Sequence, residues 1–204
     1  MATLTRTFAG MACVAALSLL ARAASAQADE ARAAQISAEI CAVCHGARGE
    51  SSSEVFPRLA GQHWEYIAKQ LANFKSGKRK GTAMNDMAVK LAPDEMAALG
   101  RHFEKMSVPP MPAKDPDLAA VGKYIYHQGN PNSRVPACTA CHGEEGLGSA
   151  ALPRLAGQHA SYLETQLRDF GKRVRTNDNS IMQSTARKLT ALEMKAVAEY
   201  LSGK

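Results

Sequence analysis

The sequence predicts an all-α protein built from two tandem, homologous units. The heptapeptide Pro57–His63 recurs unchanged as Pro153–His159, which indicates an internal duplication. After each copy, apolar residues continue at steps of three and four, the spacing of one face of a helix. These residues are Tyr66, Ile67, Leu71 and Phe74 in the first unit and Tyr162, Leu163, Leu167 and Phe170 in the second. No long run of alternating β-branched residues competes with this helical pattern.

A further helix is predicted at the end of each unit, over Pro93–Phe103 and from Thr190 to Leu201. The first begins with a proline followed by acidic residues, which suit the first turn of a helix. Between the units, 108–116 contains four prolines and is predicted to be a stiff, extended linker. The predicted first unit is therefore 27–107 and the second is 117–204.

The N-terminal segment 1–26 is typical of a secretory signal peptide. Arg6 is positively charged, 8–21 is apolar, and Ala24–Ala26 ends in a small-x-small cleavage pattern. We expect cleavage after Ala26 and export to the periplasm, an oxidising compartment; an uncleaved N-terminal anchor is the alternative. Removing Arg6 and Arg22 lowers the formal net charge from +6 to +4.

All four cysteines beyond this segment belong to Cys-x-x-Cys-His motifs, at 41–45 and 138–142. In such a motif two thiols form thioether bonds to a haem, and the histidine binds the iron. The sequence therefore predicts two covalently bound haem c groups. The predicted attachment residues are Cys41, Cys44, Cys138 and Cys141, and the predicted axial ligands are His45 and His142. Disulfides, a zinc site and a thioredoxin-like pair are the alternatives, but none of them requires a histidine after each pair.

Two methionine pairs occupy equivalent positions in the two units. Met96 and Met194 lie in the apolar stripe of the last predicted helix, so packing explains them. Met84 and Met182 lie in polar, loop-like sequence, and we predict them as the second axial ligands of the two irons. Met87 is the alternative in the first unit.

Together these features resemble the dihaem cytochromes c of the cytochrome c4 family over 27–204. The resemblance implies tandem class I cytochrome c domains, each a small helical fold around its covalent haem, packed about a pseudo-twofold axis with the haems close together. It also implies that Pro57 and Pro153 turn their carbonyls toward the imidazoles of His45 and His142. The alternative is that the prolines only shape a loop.

The resemblance implies that the protein is an electron carrier in the periplasm and that each haem carries one electron. It also implies transfer between membrane-bound respiratory complexes, with a terminal oxidase as the acceptor. Peripheral membrane association stays open. Because histidine and methionine fill both axial positions, we predict no enzymatic activity. Two alternatives remain: a dihaem subunit of a larger dehydrogenase, such as a flavin-linked sulfide dehydrogenase, and a dihaem peroxidase or thiosulfate-oxidising enzyme. Nucleic-acid binding is not expected, because export and the lack of interleaved aromatic residues argue against it.

Further repeated features have no predicted role as ligands. His63 and His159 are interpreted as helix-start residues, near haem propionates or at the contact between the units. Basic clusters at 75–80 and 172–175 are positive patches that could serve as docking surfaces for an acidic redox partner; the alternative is that they are ordinary solvated loops. One difference between the copies is that His102 occupies the position of Tyr200.

Overall fold

The computed structural model describes residues 27–107, 109 and 111–204. The predicted signal peptide and its cleavage site therefore lie outside the described residues, as do Val108 and Pro110 of the predicted linker. Within the described ranges, no helix combines the length and apolar character that crossing a membrane requires.

The first unit is helical. Helix α1 spans 27–45 and includes a π-helical turn at Ser37–Cys41, followed by the α-helical turn Ala42–His45. After an irregular loop come α2 (Trp64–Lys75), α3 (Met84–Ala88) and α4 (Pro93–Glu104).

The second unit repeats this order with one interruption. Its helices are α5 (Pro116–Gln128), α6 (Thr139–His142), α7 (Ala160–Gly171), α8 (Ile181–Ala186) and α9 (Ala191–Ser202). Unlike α1, α5 ends before the cysteine motif, and a loop connects it to α6. The described residues contain no β-strand, only two isolated antiparallel bridges. The predicted all-α class is confirmed.

The ends of the predicted helices follow from capping. Thr190 caps α9: its hydroxyl accepts from the Glu193 amide at 3.2 Å, and the Glu193 carboxylate accepts from the Thr190 amide at 2.7 Å.

Helix α5 was not predicted, because its start falls in the proline-rich linker. Asp115 accepts from the Leu118 amide at 2.9 Å, and Pro116 occupies the first turn. The unit boundaries 27–107 and 117–204 stay a prediction.

Each unit has its own hydrophobic core. The first consists of Ala33, Ile36, Ile67, Leu71, Phe74, Ala88, Leu91, Met96, Ala98, Leu99 and Phe103. The second consists of Ile125, Tyr126, Val135, Leu163, Leu189, Val197, Ala198, Tyr200 and Leu201. In both, the last helix crosses an earlier one at a glycine. A Cβ on Gly122 would lie 1.9 Å from the carbonyl oxygen of Ala196, and one on Gly100 would lie 2.5 Å from that of Trp64.

The two units contact each other through the duplicated heptapeptides. The side-chain amide of Gln62 donates to the carbonyl of Arg154 at 2.9 Å and accepts from the amide of Arg154 at 2.8 Å. Gln158 makes the same pair of bonds to Arg58, at 3.0 and 2.8 Å. These reciprocal contacts agree with the pseudo-twofold arrangement that the resemblance implies.

Because backbone atoms meet a Cβ at Gly122, we expect Gly122→Ala to force α5 and α9 apart. The expected cost is about 1–3 kcal/mol of the free energy of unfolding, measured by denaturant titration of the holoprotein. Val121→Ala on the same helix is the control, because Val121 is half exposed and its truncation removes little packing. Equal stabilities of the two variants would show that the close crossing is wrong.

Candidate haem sites

Both cysteine motifs lie on short helical turns. Cys41 and Cys44 belong to the last turns of α1, while Cys138 caps α6 and Cys141 lies within it. In each pair the two thiols are three residues apart on one turn, so they project from the same side. Cys41 and Cys138 are half-buried and pack against the core of their own unit.

The structure gives no support to the alternative roles of these cysteines. None of the four forms a disulfide with another cysteine of the described residues. Burial raises the pKa of Cys41 and that of Cys138 to about 11, so neither is a thiolate at neutral pH, as a redox-active pair would require. Among the described residues, no group of three or more His, Cys, Asp or Glu side chains is arranged to hold a metal ion. This donor set therefore fits thioether attachment better than a zinc site.

Each motif histidine is buried and oriented by a proline carbonyl. The Nδ1 atom of His45 lies 2.9 Å from the carbonyl oxygen of Pro57, and that of His142 lies 3.3 Å from the oxygen of Pro153. Burial lowers the pKa of both imidazoles, and the bonds to the prolines oppose this effect only in part. The neutral form is thus favoured, and Nε2 is the ring nitrogen left for a metal.

The polar segments that precede the two methionines, 81–83 and 177–180, are turns, as predicted, and each methionine lies at the start of the short helix that follows. Met84 is the first residue of α3, and Met182 is the second residue of α8. Both side chains are half-buried, and Met84 packs against the first core. Met87, the alternative ligand, is also half-buried and lies on α3. As predicted from packing, Met96 is buried in the first core and Met194 contacts the second.

The polar residues around Met84 resemble a loop in sequence because they build the turn that precedes α3. The side chain of Asn85 accepts from the amide of Gly81 at 2.8 Å. It also donates to the carbonyls of Phe74 and Arg79, at 2.7 and 2.9 Å. The start of α3 is therefore fixed to the end of α2, and with it the position of Met84.

Arg79 and Arg175 are not part of a docking surface, although they lie within the predicted basic clusters. Both are more than nine-tenths buried at the contact between the units. Arg79 donates to the hydroxyl of Tyr162 at 2.9 Å, and Arg175 donates to that of Tyr66 at 2.8 Å. Both guanidinium groups also donate to Gln70, at 2.8 and 3.1 Å.

The partners of these two guanidinium groups are uncharged. In the part of the chain that the structure describes, neither Arg79 nor Arg175 forms a salt bridge. Buried charge without an opposite charge is costly. The two positive charges therefore fit a group that brings carboxylates, as each haem does with its two propionates.

His63 and His159 start α2 and α7, as interpreted from the sequence. The Nε2 atom of His63 lies 2.8 Å from the carbonyl oxygen of Leu147, and that of His159 lies 2.9 Å from the oxygen of Ser51. Both partners belong to the other unit. The interpretation as residues at the contact between the units is thus confirmed.

Comparisons with known proteins agree with this arrangement. The family model for Cytochrome c matches the chain twice, over 30–129 and 119–203. Cytochrome c4 from Pseudomonas aeruginosa is 40% identical over 182 residues, which cover 86% of this chain and 89% of the relative. A thiosulfate dehydrogenase electron acceptor from Stutzerimonas stutzeri is 39% identical over 192 residues, 91% of this chain and 89% of the relative. The crystal structure of reduced recombinant cytochrome c4 from Pseudomonas stutzeri matches with a TM-score of 0.80 at 34% identity, covering 87% of this chain and 97% of that one.

The two matches to the family model correspond to the two copies of the duplication, and each copy has its own Cys-x-x-Cys-His motif. The similarity to cytochrome c4 extends over most of both chains, in sequence and in structure. The chain therefore belongs to the cytochrome c4 family, as a dihaem electron carrier with two covalently bound haem c groups.

Proposed function

We propose that this chain is exported by cleavage after Ala26 and carries electrons in the periplasm between membrane-bound respiratory complexes, with a terminal oxidase as its acceptor. One observation carries the proposal: in both units a buried imidazole is oriented through Nδ1 by a proline carbonyl. A methionine at equivalent positions of α3 and α8 accompanies it. The relatives named cytochrome c4 support the electron-carrier part of this proposal.

We assign the haem-binding residues as follows. In the first unit Cys41 and Cys44 would form the thioether bonds, and His45 and Met84 would be the axial ligands. In the second unit Cys138 and Cys141 would form the thioether bonds, and His142 and Met182 would be the axial ligands. When bound, haem iron supplies reversible one-electron chemistry. The prolines hold the imidazoles, and the core side chains exclude water. With a histidine and a methionine from each unit as iron ligands, the proposed set would leave no coordination site for a substrate.

Replacing either axial methionine is expected to change one haem only. Met84→Ala and Met182→Ala should each remove roughly half of the Met–Fe(III) charge-transfer band, because one of two thioether ligands is lost, and should lower the midpoint potential of that haem. Optical spectra of the oxidised protein measure the band. Met87→Ala is the control and should keep both contributions. Survival of the full band in the Met84→Ala or Met182→Ala protein would refute the ligand assignment.

Removing the haems is expected to unfold the protein. Small units bury a modest fraction of their surface, and beyond the predicted signal peptide the chain has only one Trp, five Tyr and four Phe to fill two cores. A covalent porphyrin supplies the missing apolar volume. We therefore expect chain made without haem attachment to show no cooperative thermal transition by circular dichroism, in contrast to the holoprotein. A cooperative transition with native helicity in the apoprotein would contradict this expectation.

The remaining basic side chains form a surface suited to an acidic partner. Lys78 and Lys80 are exposed on the loop after α2, and Lys172 and Arg173 are exposed after α7. Arg79 and Arg175, on the same two loops, meet in one hydrogen-bond network. The exposed charges therefore flank the contact between the units. Such a surface accelerates encounter with a partner of opposite charge.

Charge reversal at Lys78, Lys80 and Lys172 is expected to slow electron transfer to the acceptor. At low ionic strength, the triple change to glutamate should lower the second-order rate of oxidation by oxidase-containing membranes on the order of tenfold, and the rate should depend less on salt. Lys123→Glu with Lys195→Glu is the control, since both lysines are exposed elsewhere, on α5 and α9. The control changes the net charge by −4 and the triple variant by −6, so equal slowing per reversed lysine would assign the effect to net charge.

A second candidate function is to accept electrons from a thiosulfate-oxidising dehydrogenase. The relative from Stutzerimonas stutzeri named as the electron acceptor of thiosulfate dehydrogenase supports it, because it aligns with nearly the whole chain. The two candidates differ in the electron donor. Stopped-flow reduction of the oxidised protein by a purified thiosulfate dehydrogenase, compared with reduction by a quinol-oxidising complex, distinguishes them by rate.

A further inference from the structure

We propose that each unit contains a glutamine that tunes the axial histidine of the other unit through a single peptide group. Gln158 acts on His45, and Gln62 acts on His142. The inference rests on the proposed role of these histidines as iron ligands. It concerns the potentials of the two haems, which the ligand assignment alone does not specify.

The peptide group between Pro57 and Arg58 connects Gln158 of the second unit to His45 of the first unit. Its carbonyl oxygen, on Pro57, lies 2.9 Å from Nδ1 of His45. Its N–H, on Arg58, donates to Oε1 of Gln158 at 2.8 Å. One planar amide therefore links a side chain of the second unit to the imidazole of the first.

The second unit repeats this arrangement with the same atoms. The carbonyl of Pro153 lies 3.3 Å from Nδ1 of His142, and the amide of Arg154 donates to Oε1 of Gln62 at 2.8 Å. The only clear difference is the longer separation at His142. Since both copies of the heptapeptide make the same link, we attribute it to the arrangement of the two units and not to the packing of one loop.

The glutamines are held in place and shielded from water. Only 7% of the surface of Gln62 and of Gln158 is exposed. Each Oε1 also accepts from the amide of the next residue, His63 at 3.2 Å and His159 at 3.0 Å. In surroundings of low dielectric constant, hydrogen bonds in series polarise one another. The hydrogen bond to the glutamine therefore changes the negative charge on the proline carbonyl oxygen.

The direction of the effect follows from the chemistry of the amide. When its N–H donates a hydrogen bond, the carbonyl oxygen becomes more negative and accepts more strongly from Nδ1–H. A stronger acceptor at Nδ1 raises the donor strength of the imidazole toward iron. A stronger donor stabilises the oxidised iron and lowers the midpoint potential. Each glutamine thus lowers the potential of the haem in the other unit.

Gln158→Met tests the inference in the holoprotein, because methionine has a similar shape but offers no oxygen to Arg58. We expect the Fe(III)/Fe(II) equilibrium of the first-unit haem to shift about twofold or more toward Fe(II), which is about 18 mV or more at 59 mV per tenfold for one electron. The haem of the second unit, where the substitution lies, should not shift. A redox titration followed by NMR measures both, with haem methyl resonances assigned by NOE to side chains of each unit.

Gln62→Met is the matched control. It should raise the potential of the second-unit haem and leave that of the first unchanged. The shift should be smaller than that in the Gln158→Met protein, because the bond at His142 is longer. In the reduced Gln158→Met protein, the Nδ1 proton resonance of His45 should also move upfield, since its hydrogen bond is weaker. A purely structural role of the glutamines would not produce this crossed pattern.

Two further variants strengthen the test. Gln158→Glu keeps an acceptor oxygen for the amide of Arg58, so the potential of the first-unit haem should return to the wild-type value or fall below it. Gln158→Asn stays polar but withdraws the oxygen by one methylene, so it should raise that potential even if Gln158→Met does not fold. The inference is overturned if the shift is confined to the unit that carries the substitution, is equal at both haems, or is absent.

Failure of the inference is distinguishable from failure of the proposed function. If the axial ligands are assigned wrongly, the wild-type spectrum and those of Met84→Ala and Met182→Ala already disagree with expectation. If only the link through the glutamines is wrong, those spectra agree and the glutamine variants alone leave the potentials unchanged.

Discussion

The hydrogen bond between a buried imidazole and a proline carbonyl is the interaction on which both sites depend. It determines which nitrogen of His45 remains for a metal, whereas burial of the ring lowers its pKa and favours the neutral form. The loop after α1 brings Pro57 to this position. The amide of Ser51 donates to the carbonyl of His45 at 2.8 Å, and that of Leu59 donates to Gly49 at 2.8 Å. Gly49 has a φ of +68°, a conformation that favours glycine.

Sequence reasoning reached the features that repeat or that have a strict period. The duplication, the four cysteines and the apolar faces of α2 and α7 needed no tertiary information. Helix α5 was missed for two reasons: its start lies among prolines, and its apolar pattern is blurred by Val121 and Tyr124, which are 50% and 61% exposed. The burial of Arg79 and Arg175 was also missed. Charged residues are normally exposed, but here the guanidinium groups are buried with hydrogen-bond partners from both units, the tyrosines of the opposite unit and Gln70.

The unchanged heptapeptide has a double role that explains why its two copies are identical in this chain. Within a unit, the proline carbonyl orients the imidazole of that unit. Between units, the backbone of the next residue binds the glutamine of the other copy, and the final histidine reaches a carbonyl of the other unit. A substitution in one copy therefore disturbs its own site and the contact that both sites share. Two single-haem units without this contact would not be constrained in this way.

The contact between the units also extends to the proposed methionine ligand. Arg79 reaches the second unit through its guanidinium, while its carbonyl accepts from the Asn85 side chain beside Met84 at 2.9 Å. The position of α3 and the packing of the two units are therefore coupled through one residue. This guanidinium is buried among uncharged partners. The free-energy cost of burying its charge would fall if anionic groups lay nearby. Haem propionates close to this guanidinium would consequently strengthen both the contact between the units and the placement of α3.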